Sequence, residues 1–455
     1  MTIGFAEPTQ MTLDRRLLNR LKSPKRGGSS DVDSIPYLQE LGIDIIEQKQ
    51  PIQFADNTNE HIHRWSPYVQ GFSAAFVQSQ FDLYAEDYDD PVVLDPFAGS
   101  GTVLVQAKLN SYRSYGTELV PLLQFIANTK TNTWDVYPNY LLRIYESMPK
   151  DKTSPAPAFL KSTSHFNKGV LSNLEILKGG IEAIEPKTEK QRKVKDLIRV
   201  AFSAILIDAS NLKRGPCLGY AKTKHVDDTA PFVLLYQKIH HIASDLQIIR
   251  NCFKDKIHVE SEVFLANARD HKHARTYDLV ITSPPYMNGL DYVINYKIET
   301  GWLGFAESHK DLKRLKDSMV ACDNVSKGLI RDFAQSEESY TNEWLEEITH
   351  GIEKNIEKRG FYRRQDMADI THKYFDDMYH IMKAIVPSIN PGGRFILVVG
   401  DSLIADTYVP TDLLLARMGV ELGLKIKSLV KARGRRSGQI RSYKLRETII
   451  TLRAQ

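Results

Sequence analysis

Two short segments hold residues whose types and spacing could do chemistry, Asp95-Pro-Phe-Ala-Gly-Ser-Gly-Thr102 and Thr282-Ser-Pro-Pro-Tyr286. In the second, Ser283 offers a hydroxyl, Pro284 a backbone carbonyl with no N–H beside it, and Tyr286 a flat ring. Pro285 stiffens the same turn. Two acceptors so placed can hold the hydrogens of an aromatic amino group. The lone pair of such a nitrogen is delocalised into the ring, which makes it a poor nucleophile. Acceptors that draw the nitrogen towards a tetrahedral shape expose that lone pair for a single in-line displacement, which depends mainly on positioning. Tyr286 can stack on the base that carries the amino group once the base has left a duplex.

The first segment suits a nucleotide-like ligand. Gly99 and Gly101 follow an apolar run and open a helix, where glycine admits close backbone approach and a helix N-terminus favours negative groups. Glu118 ends the next strand, a position from which a carboxylate can accept both hydroxyls of a ribose. A phosphate loop would need Gly-Lys-Ser/Thr, but Gly101 precedes Thr102 directly. A nicotinamide site prefers a third glycine near position 104, which is Leu104. A tight turn without ligand is the remaining alternative.

Together the motifs resemble those of the amino-methylating DNA methyltransferases, which act on cytosine N4 or adenine N6, in their Ser-Pro-Pro-Tyr form. The resemblance implies S-adenosylmethionine as cofactor. It would be held by Tyr68, Asp95, Pro96, Phe97, Gly99, Gly101, Thr102, Glu118 and Asn267. Phe97 would pack beside the methionine moiety and Asn267 would contact the adenine, with Asp270 as the second candidate. His63-Arg-Trp-Ser-Pro-Tyr68 is similar to the family segment that lines the methionine end. Ser283, Pro284, Pro285 and Tyr286 would be catalytic, with no metal and no covalent intermediate. Serine at 283 is similar to the cytosine-N4 enzymes, whereas adenine-N6 relatives more often carry Asp or Asn.

The implied activity is N4-methylation of cytosine in double-stranded DNA, as the modification half of a restriction–modification pair with a cognate restriction endonuclease. Adenine N6 is the alternative base, followed by an RNA base or a non-catalytic nucleic-acid-binding role. The motif order departs from many cytosine-N4 enzymes, in which the catalytic motif comes first. No separate domain follows the last strand, so target recognition is expected within an insertion.

The elements that must position these motifs read as a doubly wound, mostly parallel α/β sheet with an antiparallel edge strand and large helical insertions. Val92–Asp95 and Tyr277–Thr282 read as strands buried on both faces. Residues 1–60 form an arm and lead-in, and 61–135 the cofactor half. Residues 136–256 are a helical insertion and the first candidate for target recognition. Residues 257–305 form the catalytic half and 306–372 a charged helical insertion. Residues 373–455 complete the sheet, with Arg394–Gly400, a helix over 411–421, and strands over 424–431 and 446–452.

With 455 residues, 42% apolar and 25% charged, the chain exceeds one simple core and has ordinary globular composition. Its three cysteines lack paired metal spacing and suit a reducing compartment. Charges run throughout residues 1–30 and no stretch can span a bilayer, so a cytoplasmic protein without membrane contact is expected. Pro216-Cys217 mimics the attacking cysteine of cytosine-C5 chemistry, but it lies in the insertion, where Ser-Pro-Pro-Tyr would have no part.

Two basic regions could follow phosphate. One holds Lys213 and Arg214 with Lys222, Lys224 and His225. The other carries nine cations from Lys425 to Arg446 with no acid before Glu447, among them Arg433, Arg435, Arg436 and Arg441. The stretch Arg433–Gly438 reads as a flexible loop contacting phosphate.

Overall fold

Apolar strands alternate in which helical layer they face, and this places the two motifs side by side. The computed structural model describes residues 28–53, 57–68, 71–215, 218–270, 275–287, 291–336, 338–437 and 442–455. Its main sheet contains β1 (Ile45–Glu47), β2 (Val92–Asp95), β3 (Arg113–Glu118), β4 (Ser261–Leu265), β5 (Tyr277–Thr282), β6 (Ile389–Gly400), β7 (Lys425–Arg436) and β8 (Lys444–Arg453). The spatial order is β1-β7-β8-β6-β5-β2-β3-β4. All neighbours are parallel except β8, which runs against both β6 and β7.

Leu94, Val280, Phe395, Leu397 and Val399 face one core, and Val93, Leu279, Ile281, Ile396 and Val398 the other. That period of two, with both faces apolar, gives the near-continuous hydrophobic runs seen in the sequence. Helices α1 (Ala74–Tyr84) and α2 (Thr102–Leu109) cover the second face. The first is covered by α6 (Glu343–Arg359), α7 (Met367–Ile385) and α8 (Thr411–Glu421). Ile348, Ile352 and Ile356 recur at helical spacing and bury the inner stripe of α6. Much of the charged 306–372 segment is therefore a packing layer of the sheet.

The sheet is mostly parallel with antiparallel pairing towards one edge, as the sequence implies. The outermost strand there is the short β1, from the lead-in, which sequence reading leaves unassigned. Between β3 and β4 the chain forms α4 (Glu189–Ile205) and α5 (Ala230–Cys252), which share a separate core with α3 (Pro121–Asn132). Among the described residues no helix is long and apolar enough to cross a membrane.

From β2 the chain winds first to β3 and β4 on one side, then to β5 and β6 on the other. A crevice opens beyond the strand ends where winding reverses, the usual ligand position in such sheets. Both motifs lie at that point.

Candidate active site

Strands β2 and β5 are adjacent, with Val93 opposite Leu279 and Leu94 opposite Val280. The buried Asp95 carboxylate ties their ends together. One oxygen accepts from the Thr282 hydroxyl at 2.7 Å and the Phe97 N–H at 3.0 Å. Burial pushes its pKa up to about 7. Asp95 thus joins the Gly99–Gly101 turn to the Ser-Pro-Pro-Tyr loop.

Beyond it opens a cleft of about 570 Å³, open solvent included. Tyr68, Pro96, Phe97 and Glu118 line one part, Asn267 and Ala268 another, and Ser283 and Pro285 a third. Glu118 is buried, and its two oxygens accept from Gly99 N–H and Val120 N–H at 2.8 Å each. Burial raises this carboxyl to about 7. Each oxygen keeps a further lone pair for a hydroxyl. Asp95, Gly99, Gly101, Thr102, Pro284 and Tyr286 do not line the cleft; they sit behind or beside it.

Gly99 has φ +51°, and a Cβ there would lie 2.6 Å from the Tyr68 hydroxyl oxygen. Gly101 has φ +85°, and its missing side chain lets the turn pack on Ala127. The Tyr68 ring stacks with Tyr292 at 6.2 Å and with Tyr296 at 5.9 Å. Among the described residues, three aromatic rings, one carboxylate and no lysine or arginine line the cleft. Such a lining does not suit a polyphosphate and suits a neutral nucleoside joined to a cationic group. S-adenosylmethionine, an adenosine bearing a sulfonium, fits that donor set.

The segment that leads to Tyr68 is fastened from the insertion. Asp245 on α5 is buried and accepts from Ile62 N–H (3.0 Å), Arg64 Nε (3.1 Å) and Nη2 (2.5 Å), and Trp65 Nε1 (2.9 Å). His61 Nδ1 lies 2.8 Å from the same carboxylate. These contacts hold Ile62 at φ +67°, a rare conformation for a β-branched residue.

Tyr286 and Ser283 share a side-chain hydrogen bond, and burial pushes the Tyr286 phenol far above its ordinary pKa, so it stays neutral. The Arg435 guanidinium lies 5.9 Å from the Tyr286 ring centroid. It also donates to the Asp401 backbone carbonyl and packs on Gly400, where a Cβ would meet Nη2 at 2.7 Å.

The basic regions differ from their sequence reading. Residues 433–436 belong to β7 and are not a loop. Several of its cations also have counter-charges. Arg433 faces Glu447 across the ladder and ion-pairs with it, and Lys431 pairs with Asp31 and Glu47 at 2.7 and 2.8 Å. Arg446 is wholly buried and bonds Asp412 at 2.8 Å, the Ser30 carbonyl and the Ser34 hydroxyl. Arg214 is half-buried, its side chain 10% exposed, paired with Glu299 and 4.4 Å from the Tyr296 ring centroid. It supports the aromatic stack and is not presented to a phosphate. Lys213 and Arg436 are exposed. Arg441, Gly438, Pro216, Cys217 and the basic residues before position 28 lie outside the described residues.

Sequence reading missed Tyr292 and Tyr296, whose spacing of four just after the Ser-Pro-Pro-Tyr loop was an available signal. It also missed Ser318, Met319 and Val320, which line the cleft from the second insertion. No local pattern marks those three.

No family model matches the chain. It is 23% identical over 436 residues to the Type II methyltransferase M.BsoBI of Geobacillus stearothermophilus, covering 86% of this chain and 85% of that one. It is 24% identical over 416 residues to the Type II methyltransferase M.AvaI of Nostoc sp., covering 83% and 82%. The Type II methyltransferase M.MvaI of Kocuria varians is 21% identical over 409 residues, covering 84% and 86%. Among solved structures, the rRNA methyltransferase aviRa from Streptomyces viridochromogenes aligns with TM-score 0.33 and 8% identity over 89% of this chain and 94% of that one. The chain is thus similar over most of its length to Type II methyltransferases, and S-adenosylmethionine is the methyl donor.

Proposed function

We propose that the protein transfers a methyl group to the exocyclic N4 of cytosine in double-stranded DNA, as the modification enzyme of a restriction–modification system. One observation carries the proposal: Ser283 and Pro285 line the same cleft as Phe97 and Glu118, so amino-group acceptors and cofactor site are continuous. The Type II relatives support DNA as substrate and a cognate restriction endonuclease as partner.

Bound S-adenosylmethionine supplies an electrophilic methyl group on a sulfonium. Glu118 would accept its ribose hydroxyls, Asn267 its adenine, and Phe97 and Tyr68 would pack at the methionine end. Ser283 Oγ and the Pro284 carbonyl accept the two amino hydrogens of the target base, which localises the nitrogen lone pair. Tyr286 stacks on the extruded base. In its hydrogen bond to Tyr286 the Ser283 hydroxyl donates, which leaves its oxygen lone pairs free to accept the amino group. Exposed Lys213 and Arg436 are the cations of the original set best able to meet phosphate. The 136–256 segment, with α4 and α5, is the proposed target-recognition region.

Ser283 favours cytosine over adenine, the second reading, which uses the same cleft. Nucleoside mass analysis of DNA treated with protein and cofactor distinguishes them. N4-methylcytosine is expected, and N6-methyladenine alone would overturn the cytosine assignment. Sequencing the methylated product gives the recognition site.

A further inference from the structure

We propose that Arg269 and Asp377 are positioning residues forming a clasp that fastens the Ser318–Ala321 strap over the adenine end of the cofactor cleft, and so govern cofactor residence. The inference rests on the cofactor assignment above and extends it to residues outside both motifs.

The strap comes from the second insertion, about fifty residues beyond Asn267, yet Ser318, Met319 and Val320 line the cleft beside Asn267 and Ala268. Residues 320–326 contain no helix or strand. Ser318 and Met319 are tied by backbone bonds to the end of the preceding helix, and beyond them the strap is placed by Val320 packing in the core and by one polar cluster. Arg269, two residues after Asn267, donates to the Ser318 carbonyl and reaches the Met319 carbonyl at 3.4 Å. Its backbone N–H and Nε donate to Asn267 Oδ1 at 3.1 and 3.3 Å. Asn267 Nδ2 in turn donates to the Ser318 carbonyl at 3.0 Å. The side chain placed for the adenine is therefore locked to the strap.

Asp377 closes the cluster from α7. It pairs with Arg269, accepts the Ala321 N–H at 2.9 Å, and receives Lys373 Nζ at 2.9 Å. Its side chain is only 2% exposed. A carboxylate so buried costs free energy unless its partners stay in place, so the strap has one favoured position. Asp377 is anchored on a helix packed against the sheet, while its partners belong to the cleft wall. Opening that end of the cleft therefore means breaking the Arg269–Asp377 pair, and cofactor dissociation is where the cost is felt.

The test uses the full chain with S-adenosylmethionine and S-adenosylhomocysteine. Asp377→Asn and Arg269→Gln are expected to raise Kd for both by about tenfold or more, chiefly through faster dissociation. The KM for cofactor should rise in parallel. Turnover at saturating cofactor and KM for DNA should stay within about twofold, and Arg269→Lys should recover part of the loss. In the wild type, cofactor should slow amide exchange at residues 318–321. Folded variants with unchanged cofactor Kd would overturn the clasp. If the variants do not fold, the exchange experiment decides alone, and unchanged exchange at the strap overturns it. A wild type that binds neither compound would instead refute the cofactor assignment.

Discussion

Gly99→Ala is the sharpest perturbation of the cofactor turn, because two separate penalties can be assigned to two separate measurements. The backbone there has φ +51°, in the left-handed region. An L side chain in that region costs about 1–2 kcal/mol, and this falls on folding stability whether or not cofactor is bound. The new methyl would also lie 2.6 Å from the Tyr68 hydroxyl oxygen and 2.9 Å from Cζ, where ordinary contact begins near 3.4 Å. Tyr68 cannot yield freely, since its ring is stacked on Tyr292 and Tyr296. Because Tyr68 and Tyr292 line the cleft, their displacement falls on cofactor binding. Overpacking of this kind costs about 1–3 kcal/mol, equivalent to about 5- to 150-fold in affinity. Calorimetric titration with S-adenosylmethionine should show that loss, and chemical denaturation without cofactor should show the smaller stability loss. Tyr68→Phe in the Gly99→Ala background removes the nearest atom and should restore part of the affinity. A folded Gly99→Ala protein with wild-type cofactor affinity would refute the role assigned to the Gly99–Tyr68 contact.

Three further outcomes are expected. Burial raises the Glu118 and Asp95 carboxyls to about 7, so the folded protein binds these protons more tightly than the unfolded chain. Ligand-free stability from these groups is therefore present at low pH and lost as pH rises through about 7. Cofactor affinity should run the opposite way, because hydroxyl donors favour the ionised Glu118. Calorimetry near pH 6.5 in buffers of differing ionisation heat should show about a fraction of one proton released on binding, absent in Glu118→Gln; no release in the wild type would refute Glu118 as the ribose acceptor. Tyr286→Ala should lower turnover by about 100-fold or more while leaving cofactor Kd nearly unchanged, and a matched loss of cofactor binding would refute base stacking as its role. Arg214→Ala should destabilise the protein by about 3–5 kcal/mol by stranding buried Glu299, yet leave the salt dependence of DNA binding intact. Lys213→Ala and Arg436→Ala should each reduce that salt slope by about one, and a similar drop for Arg214→Ala would mean that it does meet phosphate.

The parts of the site legible in the sequence are those in which position and chemistry are local. Gly99 and Gly101 need a turn between a strand and a helix, and both flanking elements are written in adjacent residues. Ser283 follows directly on a strand whose apolar run is unmistakable. The basic run misleads for the opposite reason. Arg433 and Glu447 are fourteen residues apart, and only the β7–β8 register makes them neighbours. Arg446 is neutralised by Asp412 from a helix, and Lys431 by acids in the lead-in. Counting charges along a chain cannot see partners supplied by pairing across a sheet. The strap is hidden in the same way: nothing about Ser318-Met-Val320 marks a ligand wall until α7 and Arg269 place it there.

Asp245 has a bearing on how such enzymes can be recombined. It stands on a helix of the 136–256 segment, but every donor it gathers, from His61 to Trp65, comes from the stretch that leads into Tyr68. Exchanging that segment, the proposed target-recognition region, with a relative's would therefore disturb the segment leading to Tyr68 as well. A graft bounded at residues 136 and 256 would leave a strained Ile62 and unsatisfied Arg64 and Trp65 donors facing a foreign helix. A graft of the proposed target-recognition segment that keeps the Asp245 contacts is discontinuous, and its first piece begins at His61.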